Sequence, residues 1–207
     1  MPSKDLKASD RNAEGPRLAV LGWGSLLRRP GELSIRGDWH SDGPWLPIEF
    51  ARISKGGHLT LVIVPRRKSV QTYWALSGYA TLKDATDNLA RREGTGVADI
   101  GYLTLDDDQS ARFKSYIARL RAWLKKRSLH GVIWTDLPSN FEDKTGREFS
   151  NSGALAYLRS ADTGVRAKAA DYIRIAPAQT KTQLRQRLEK ELGISSSSKT
   201  HTPSHTV

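Results

Sequence analysis

Two short motifs about seventy residues apart hold the residue types best suited to small-molecule chemistry. The first, Leu21-Gly22-Trp23-Gly24-Ser25-Leu26-Leu27, directly follows the apolar run Leu18-Ala19-Val20. Its glycines permit backbone conformations closed to other residues and close approach of a ligand. Successive free N–H groups in such a loop cradle a carboxylate or an amide oxygen. The second motif, Leu89-Ala90-Arg91-Arg92-Glu93-Gly94, puts one carboxylate at the end of a short helix. The helix dipole disfavours an acid there, Arg91 and Arg92 offset it, and an acid placed against a local rule points to function. A backbone cradle and one acid–base group together make a small-molecule site. Taken singly, each motif has a plainer reading: a tight turn after a strand, and an exposed charge near a helix end.

The residues exclude several other chemistries. A dinucleotide fingerprint needs glycine where Leu27 stands, no Gly-Lys-Ser/Thr follows for a phosphate loop, and Ser25 lacks the Gly-x-Ser-x-Gly setting of a nucleophile elbow. The chain has no cysteine, so disulfides, thiolate zinc sites and a cysteine nucleophile are ruled out. His40, His58, His130, His201 and His205 show no metal-ligand spacing, and His130 forms no legible Ser-His-Asp set. We expect no metal and no cofactor. Asp106-Asp107-Asp108 reads as a helix N-terminal cap rather than a cation site. Trp39, Trp45, Trp74, Trp123 and Trp134 read mainly as core, and Arg66-Arg67-Lys68 as a solvated turn.

The elements that must position the two motifs are legible from periodicity. Residues 18–21 read as a buried strand, and 47–54 alternate apolar and polar as a half-buried strand does. Lys55-Gly56-Gly57-His58 signals a hairpin turn into a central strand over 59–64, stopped by Pro65, and 70–77 reads as a fourth strand. Leu82, Ala85, Leu89 and Arg92 give a helix over 82–92, closed by Glu93-Gly94. The spacing of Phe113, Tyr116, Ile117, Leu120, Trp123 and Leu124 predicts a helix over 106–127, with acids at its start and bases at its end. A strand over 131–134 and helices over 152–159, near 165–173 and over 181–192 complete the pattern, Pro177 separating the last two. The expected fold class is α+β: a mixed, partly closed β-barrel or sheet flanked by helices on one side, with extra C-terminal helices.

The 207 residues suffice for one domain, expected over 17–192, with disordered tails over 1–16 and 193–207. Hydrophobic residues make up 38% and charged residues 27%, which is globular composition. No apolar run is long enough to span a bilayer, and Met1 to Arg17 lacks a signal-peptide stretch, so a cytoplasmic protein without membrane partners is expected. The net charge of +11 is compatible with nucleic acid, but lysines and arginines are spread along the chain and read as a solvated surface. Nucleic acid is therefore not the favoured partner, and the oligomeric state is not legible.

The loop 21–26 resembles the Gly-Tyr-Gly-Ser-Leu/Asn loop of the γ-glutamylcyclotransferase superfamily, and its Ser-Leu form followed by Pro30 is most similar to the ChaC-type, glutathione-degrading branch. Leu89-Ala90-Arg91-Arg92-Glu93 resembles that family's Leu-x-x-Arg-Glu signature, and Phe50, Thr60-Leu61-Val62, Pro65 and the strand from Val70 follow its order. The likeness covers about residues 18–103. Trp23 replaces the usual tyrosine, 28–47 is insertion-like, and only Asn151-Ser152-Gly153 to Tyr157-Leu158 faintly resembles the family's later helix. The resemblance implies release of 5-oxoproline from a γ-glutamyl or related amide substrate by intramolecular aminolysis. It assigns Glu93 as catalytic acid–base and Gly22, Trp23, Gly24, Ser25 and Leu26 as substrate-binding. The alternative is a non-catalytic ligand-binding or protein-interaction module on the same fold.

Overall fold

A computed structural model of the chain describes residues 15–109 and 114–194. In chain order the strands are β1 (Leu18–Gly22), β2 (Ile35–His40), β3 (Trp45–Leu46), β4 (Ile48–Ile53), β5 (Leu59–Ile63), β6 (Val70–Gln71), β7 (Tyr73–Ser77), β8 (Ile100–Thr104), β9 (Asp108–Gln109) and β10 (Gly131–Thr135). The helices are α1 (Leu82–Glu93), α2 (Ile117–Lys126), α3 (Phe141–Thr145), α4 (Asn151–Ser160), α5 (Thr163–Ile175) and α6 (Arg185–Glu191). Six strands form one mixed sheet in the order β2-β7-β1-β10-β8-β9, with β1 and β10 parallel and the other pairs antiparallel. The pairs β3–β6 and β4–β5 form separate two-stranded sheets. The fold is mixed α+β.

The centre of the mixed sheet is buried on both faces, which is why β1 reads as a continuous apolar run rather than an alternating one. Ala19 and Leu21 of β1 and Val132 and Trp134 of β10 face the larger core, shared with the β4–β5 hairpin and residues of α2, α4, α5 and α6. Leu18, Val20 and Ile133 face a smaller core capped by Ala85, Leu89 and Ala90 of α1. Helices therefore lie on both faces of the sheet, not on one side as the sequence pattern suggested, because α1 crosses to the face opposite the others. Gly101 pairs with Trp134, and a Cβ there would come within 2.4 Å of the indole, so glycine makes room for the largest buried ring.

Several local expectations are corrected. The helix expected over 106–127 begins only at Ile117. Thr104 accepts the Asp107 N–H on its hydroxyl (3.0 Å) and donates its own N–H to the Asp107 carbonyl (2.7 Å), which turns the chain into β9 against β8. The aspartates thus belong to a hairpin, not to a helix cap; Phe113 lies outside the described residues. The strand 59–64 is not central, since among the described residues β5 pairs only with β4. The strand 70–77 breaks at Thr72, whose N–H and hydroxyl both donate to the Pro44 carbonyl, at 3.2 and 2.7 Å. The last helix starts at Arg185 instead of 181, with the Thr182 hydroxyl accepting the Arg185 N–H. The insertion-like stretch 28–47 supplies β2 and β3, and α3, unforeseen, buries Phe141. Trp45 is half-exposed and stands outside the core. The tails expected over 1–16 and 193–207 fall, but for 15–16 and 193–194, outside the described residues. No helix among the described residues is long and apolar enough to cross a membrane.

Candidate functional site

The loop after β1 turns because of what packs on it. A Cβ on Gly22 would lie 2.7 Å from Leu27 and 2.9 Å from Trp39, and one on Gly24 would lie 2.6 Å from the Tyr172 hydroxyl oxygen. Both glycines are therefore demanded by close approach. Ser25 to Leu27 then form a single 3-10 turn, in which the Ser25 carbonyl accepts from Arg28 and Arg29 at 3.1 and 2.8 Å. The N–H groups of Gly24 and Leu26 have no acceptor among the described residues. The Trp23 side chain is buried in the larger core, donating its indole N–H to the Leu61 carbonyl at 3.3 Å, and Leu26 is buried under α1. What the loop offers outward is main chain and the Ser25 hydroxyl.

Glu93 is delivered by the end of α1. Thr81 caps the start of that helix by accepting the Asp84 N–H, and Gly94 closes it in the left-handed conformation at φ 63°. The Thr95 N–H reaches back to the Ala90 carbonyl at 3.1 Å, so the chain reverses directly after the carboxylate. Arg92 donates to the Glu93 carboxylate at 2.5 Å and to the Arg29 carbonyl at 2.6 Å. Buried Asn88 adds a second clamp on the chain after the loop, accepting from Ser34 at 2.8 Å and donating to Glu32 at 2.9 Å. The Arg-Glu pair thus fixes the relation between helix end and loop.

Gly22, Trp23, Gly24, Ser25, Leu26 and Glu93 all line one cleft of about 760 Å³. It is closed by groups that the motifs did not mark: Thr95 and Asp99 beyond α1, Arg52 and Lys55 on the β4–β5 hairpin, Asn140 and Lys144 at α3, and Tyr172 of α5. The Thr95 hydroxyl donates to Asp99. Asn140 pairs with both main-chain groups of Ile53, at 2.8 and 3.0 Å, and fixes the hairpin. The segment from Thr135 to Lys144 runs along the wall, from Asp99, whose carbonyl accepts the Asp136 N–H at 2.7 Å, to the hairpin. The lining therefore carries carboxylates at and beyond the end of α1, and Arg52, Lys55 and Lys144 on the β4–β5 hairpin and α3. The only ionic or hydrogen-bond partner of these three side chains among the described residues is the Pro138 carbonyl, which accepts from Arg52 at 2.7 Å.

The C-terminal helices hold this site in place. The Thr180 hydroxyl donates to the Trp23 carbonyl at 3.1 Å. Buried Arg185 knots the turn that presents Thr180, donating to the carbonyls of Ile173, Ala176, Pro177 and Thr180. The Tyr157 hydroxyl donates to the Gly57 carbonyl at 2.6 Å, pinning the hairpin turn. His58 shares a hydrogen bond with Ser54 at 2.9 Å; burial, reinforced by the charge of Lys168, lowers its pKa. No group of three His, Asp or Glu able to hold a metal gathers among the described residues. None of Tyr172, Arg185 or Thr180 has a motif of its own; helical spacing alone makes them ordinary helix or turn residues. Compared with models of protein families, with curated proteins and with solved structures, the chain has no match.

Proposed function

We propose that the cleft is the active site of a γ-glutamylcyclotransferase-like enzyme. One observation carries the reading: Glu93 and the glycine loop, remote in sequence, line the same cleft. The reaction needs little from the protein. The α-amino nitrogen of the substrate attacks its own γ-carbonyl carbon, a new C–N bond closes the five-membered lactam, and the bond to the leaving amine breaks. The nucleophile belongs to the substrate, so holding it folded supplies much of the acceleration; well-oriented intramolecular reactions reach effective molarities of about 10⁵ M or more. Glu93 takes a proton from the attacking ammonium and returns one to the departing amine. The Gly24 and Leu26 N–H groups bind the substrate carboxylate. The family-like form of the sheets, a partly closed barrel, belongs to this same proposal.

The competing reading is a non-catalytic ligand-binding module, favoured by the Arg92 partner that already occupies the Glu93 carboxylate. Measuring 5-oxoproline release from a panel of γ-glutamyl compounds, glutathione included, separates the two. The wild type releases 5-oxoproline, and Glu93→Gln lowers turnover by about 10²-fold or more while keeping ligand affinity. No release from any compound, or full turnover by Glu93→Gln, overturns the enzymatic reading.

A further inference from the structure

Tyr172 stands apart from everything the two motifs explain. It comes from α5, far beyond the stretch that carries the family resemblance, and it lines the same cleft as Glu93. Its hydroxyl oxygen sits against Gly24 and accepts the Leu61 N–H at 3.3 Å. A phenol oxygen that accepts an N–H still has its own proton to give. No acceptor for that proton lies among the described residues. An enclosed donor without an acceptor is costly unless a ligand or water completes it.

We infer that Tyr172 donates a hydrogen bond to the carbonyl oxygen of the ligand, and that its ligands are carboxylates bearing an amide, lactam or ketone oxygen at the γ position. On the cyclotransferase reading, on which this step rests, that oxygen is the one that becomes an oxyanion when the amine adds to the γ-carbonyl carbon. Tyr172 then acts as a positioned donor and keeps its proton throughout; the proton lost by the ammonium travels by Glu93 to the leaving amine. Burial, with the Glu93 charge adding to it, pushes the Tyr172 hydroxyl up to about 12, so it remains a donor across the neutral range. The Leu61 N–H and the packing against Gly24 hold it in place in advance, as an oxyanion site requires.

The test uses two probes differing by a single oxygen: 3-oxocyclopentanecarboxylate, which places a carbonyl where 5-oxoproline has one, and cyclopentanecarboxylate. Affinities of wild type and Tyr172→Phe are measured by calorimetry. Wild type prefers the ketone by roughly five- to tenfold, and Tyr172→Phe loses that preference while binding cyclopentanecarboxylate unchanged. A preference equal in both proteins, or none in the wild type, overturns the inference. Should Tyr172→Phe fold poorly, 3,5-difluorotyrosine at position 172 keeps the oxygen as acceptor while lowering its pKa. The ketone preference then falls at alkaline pH, which a purely structural role would not produce. Release of 5-oxoproline is scored separately. A wild type that shows the ketone preference but no release retains Tyr172 as a donor and loses the cyclotransferase reading. Turnover with an unchanged kcat in Tyr172→Phe does the reverse, since loss of one such donor costs about 10²-fold.

Discussion

The hydroxyl oxygen of Tyr172 stands 2.6 Å from where a Cβ on Gly24 would be, so a helix residue and a loop glycine share one space. Gly24→Ala forces that oxygen away and takes the loop with it. We expect a loss of about 1–3 kcal/mol in stability, typical of overpacking, and a larger loss of turnover. The ring carbon bearing the hydroxyl is 3.5 Å away, ordinary contact distance. Tyr172→Phe therefore relieves the clash, and Gly24→Ala costs less in that background. Denaturant melts of the four proteins of the cycle check this; additive effects would mean that the two residues do not compete.

Arg92 gives a second prediction. Its guanidinium joins the Glu93 carboxylate to the carbonyls of Arg29 and Pro30, the latter at 3.4 Å. Arg92→Leu frees both the helix end and the loop, lowering kcat/KM by about 10²-fold through misplacement and stability by about 1–3 kcal/mol. Arg92→Lys keeps the charge but lacks the planar fork that spans several acceptors, so it recovers only part of the activity. Full activity in Arg92→Lys would reduce the arginine to a source of charge.

These two relationships also mark how far the sequence was readable. The β4–β5 hairpin, β1 and the capped helix α1 are encoded within short windows: an apolar run, a Lys-Gly-Gly-His turn, and a threonine cap answered by a left-handed Gly94. The candidate site residues on those elements could be singled out for the same reason, and the structure brings them to one cleft. The hairpin at Asp106 to Gln109 was not, because acids before an apolar stripe also satisfy the rules for a helix start, and the Thr104 side chain decided otherwise. Tyr172, Thr180 and Arg185 were invisible for a different reason. Their roles arise from contacts more than a hundred residues away or from four carbonyls converging on one guanidinium, and no local period encodes either.

Glu49 carries a pH dependence. It is buried in β4, where its carboxylate accepts the N–H groups of Phe50 at 2.9 Å and Leu184 at 3.2 Å. Burial raises its pKa; the Thr182 hydroxyl, those N–H groups and the charge of Arg67 oppose the shift without cancelling it. The folded chain thus binds a proton at Glu49 more readily than the unfolded chain. This contribution is fully present below the ordinary glutamate value of about 4.5 and is lost as pH rises through the higher folded value. His58, with its lowered pKa, has the opposite slope, losing stability as pH falls below about 6.5. Comparing wild type with Glu49→Gln cancels the histidine. Relative to the variant, wild type becomes less stable as pH is raised from about 4 to 8, read by urea melts. A difference independent of pH, or growing in favour of wild type, would refute the burial cost.

The cations that the β4–β5 hairpin and α3 bring to the cleft predict selectivity for the leaving group. Arg52 is held by the Pro138 carbonyl, and neither Lys55 nor Lys144 has an acidic partner among the described residues. Uncompensated charge of one sign in a concave site raises the local concentration of oppositely charged ligands. On the cyclotransferase reading, Glu93 and the glycine loop hold the γ-glutamyl part, so the group left to reach these cations is the one departing with the amine. Lys55→Ala combined with Lys144→Ala should raise KM by about fivefold for γ-glutamyl compounds whose leaving amine bears a carboxylate, and leave KM for γ-glutamylalkylamines unchanged. kcat should hold for both, since neither lysine touches the reacting atoms. Both lysines are exposed, so added salt should shrink the wild-type advantage for the acidic compounds toward that of the variant. Equal KM changes for both classes would show that the lysines shape the cleft without reading the charge of the leaving group.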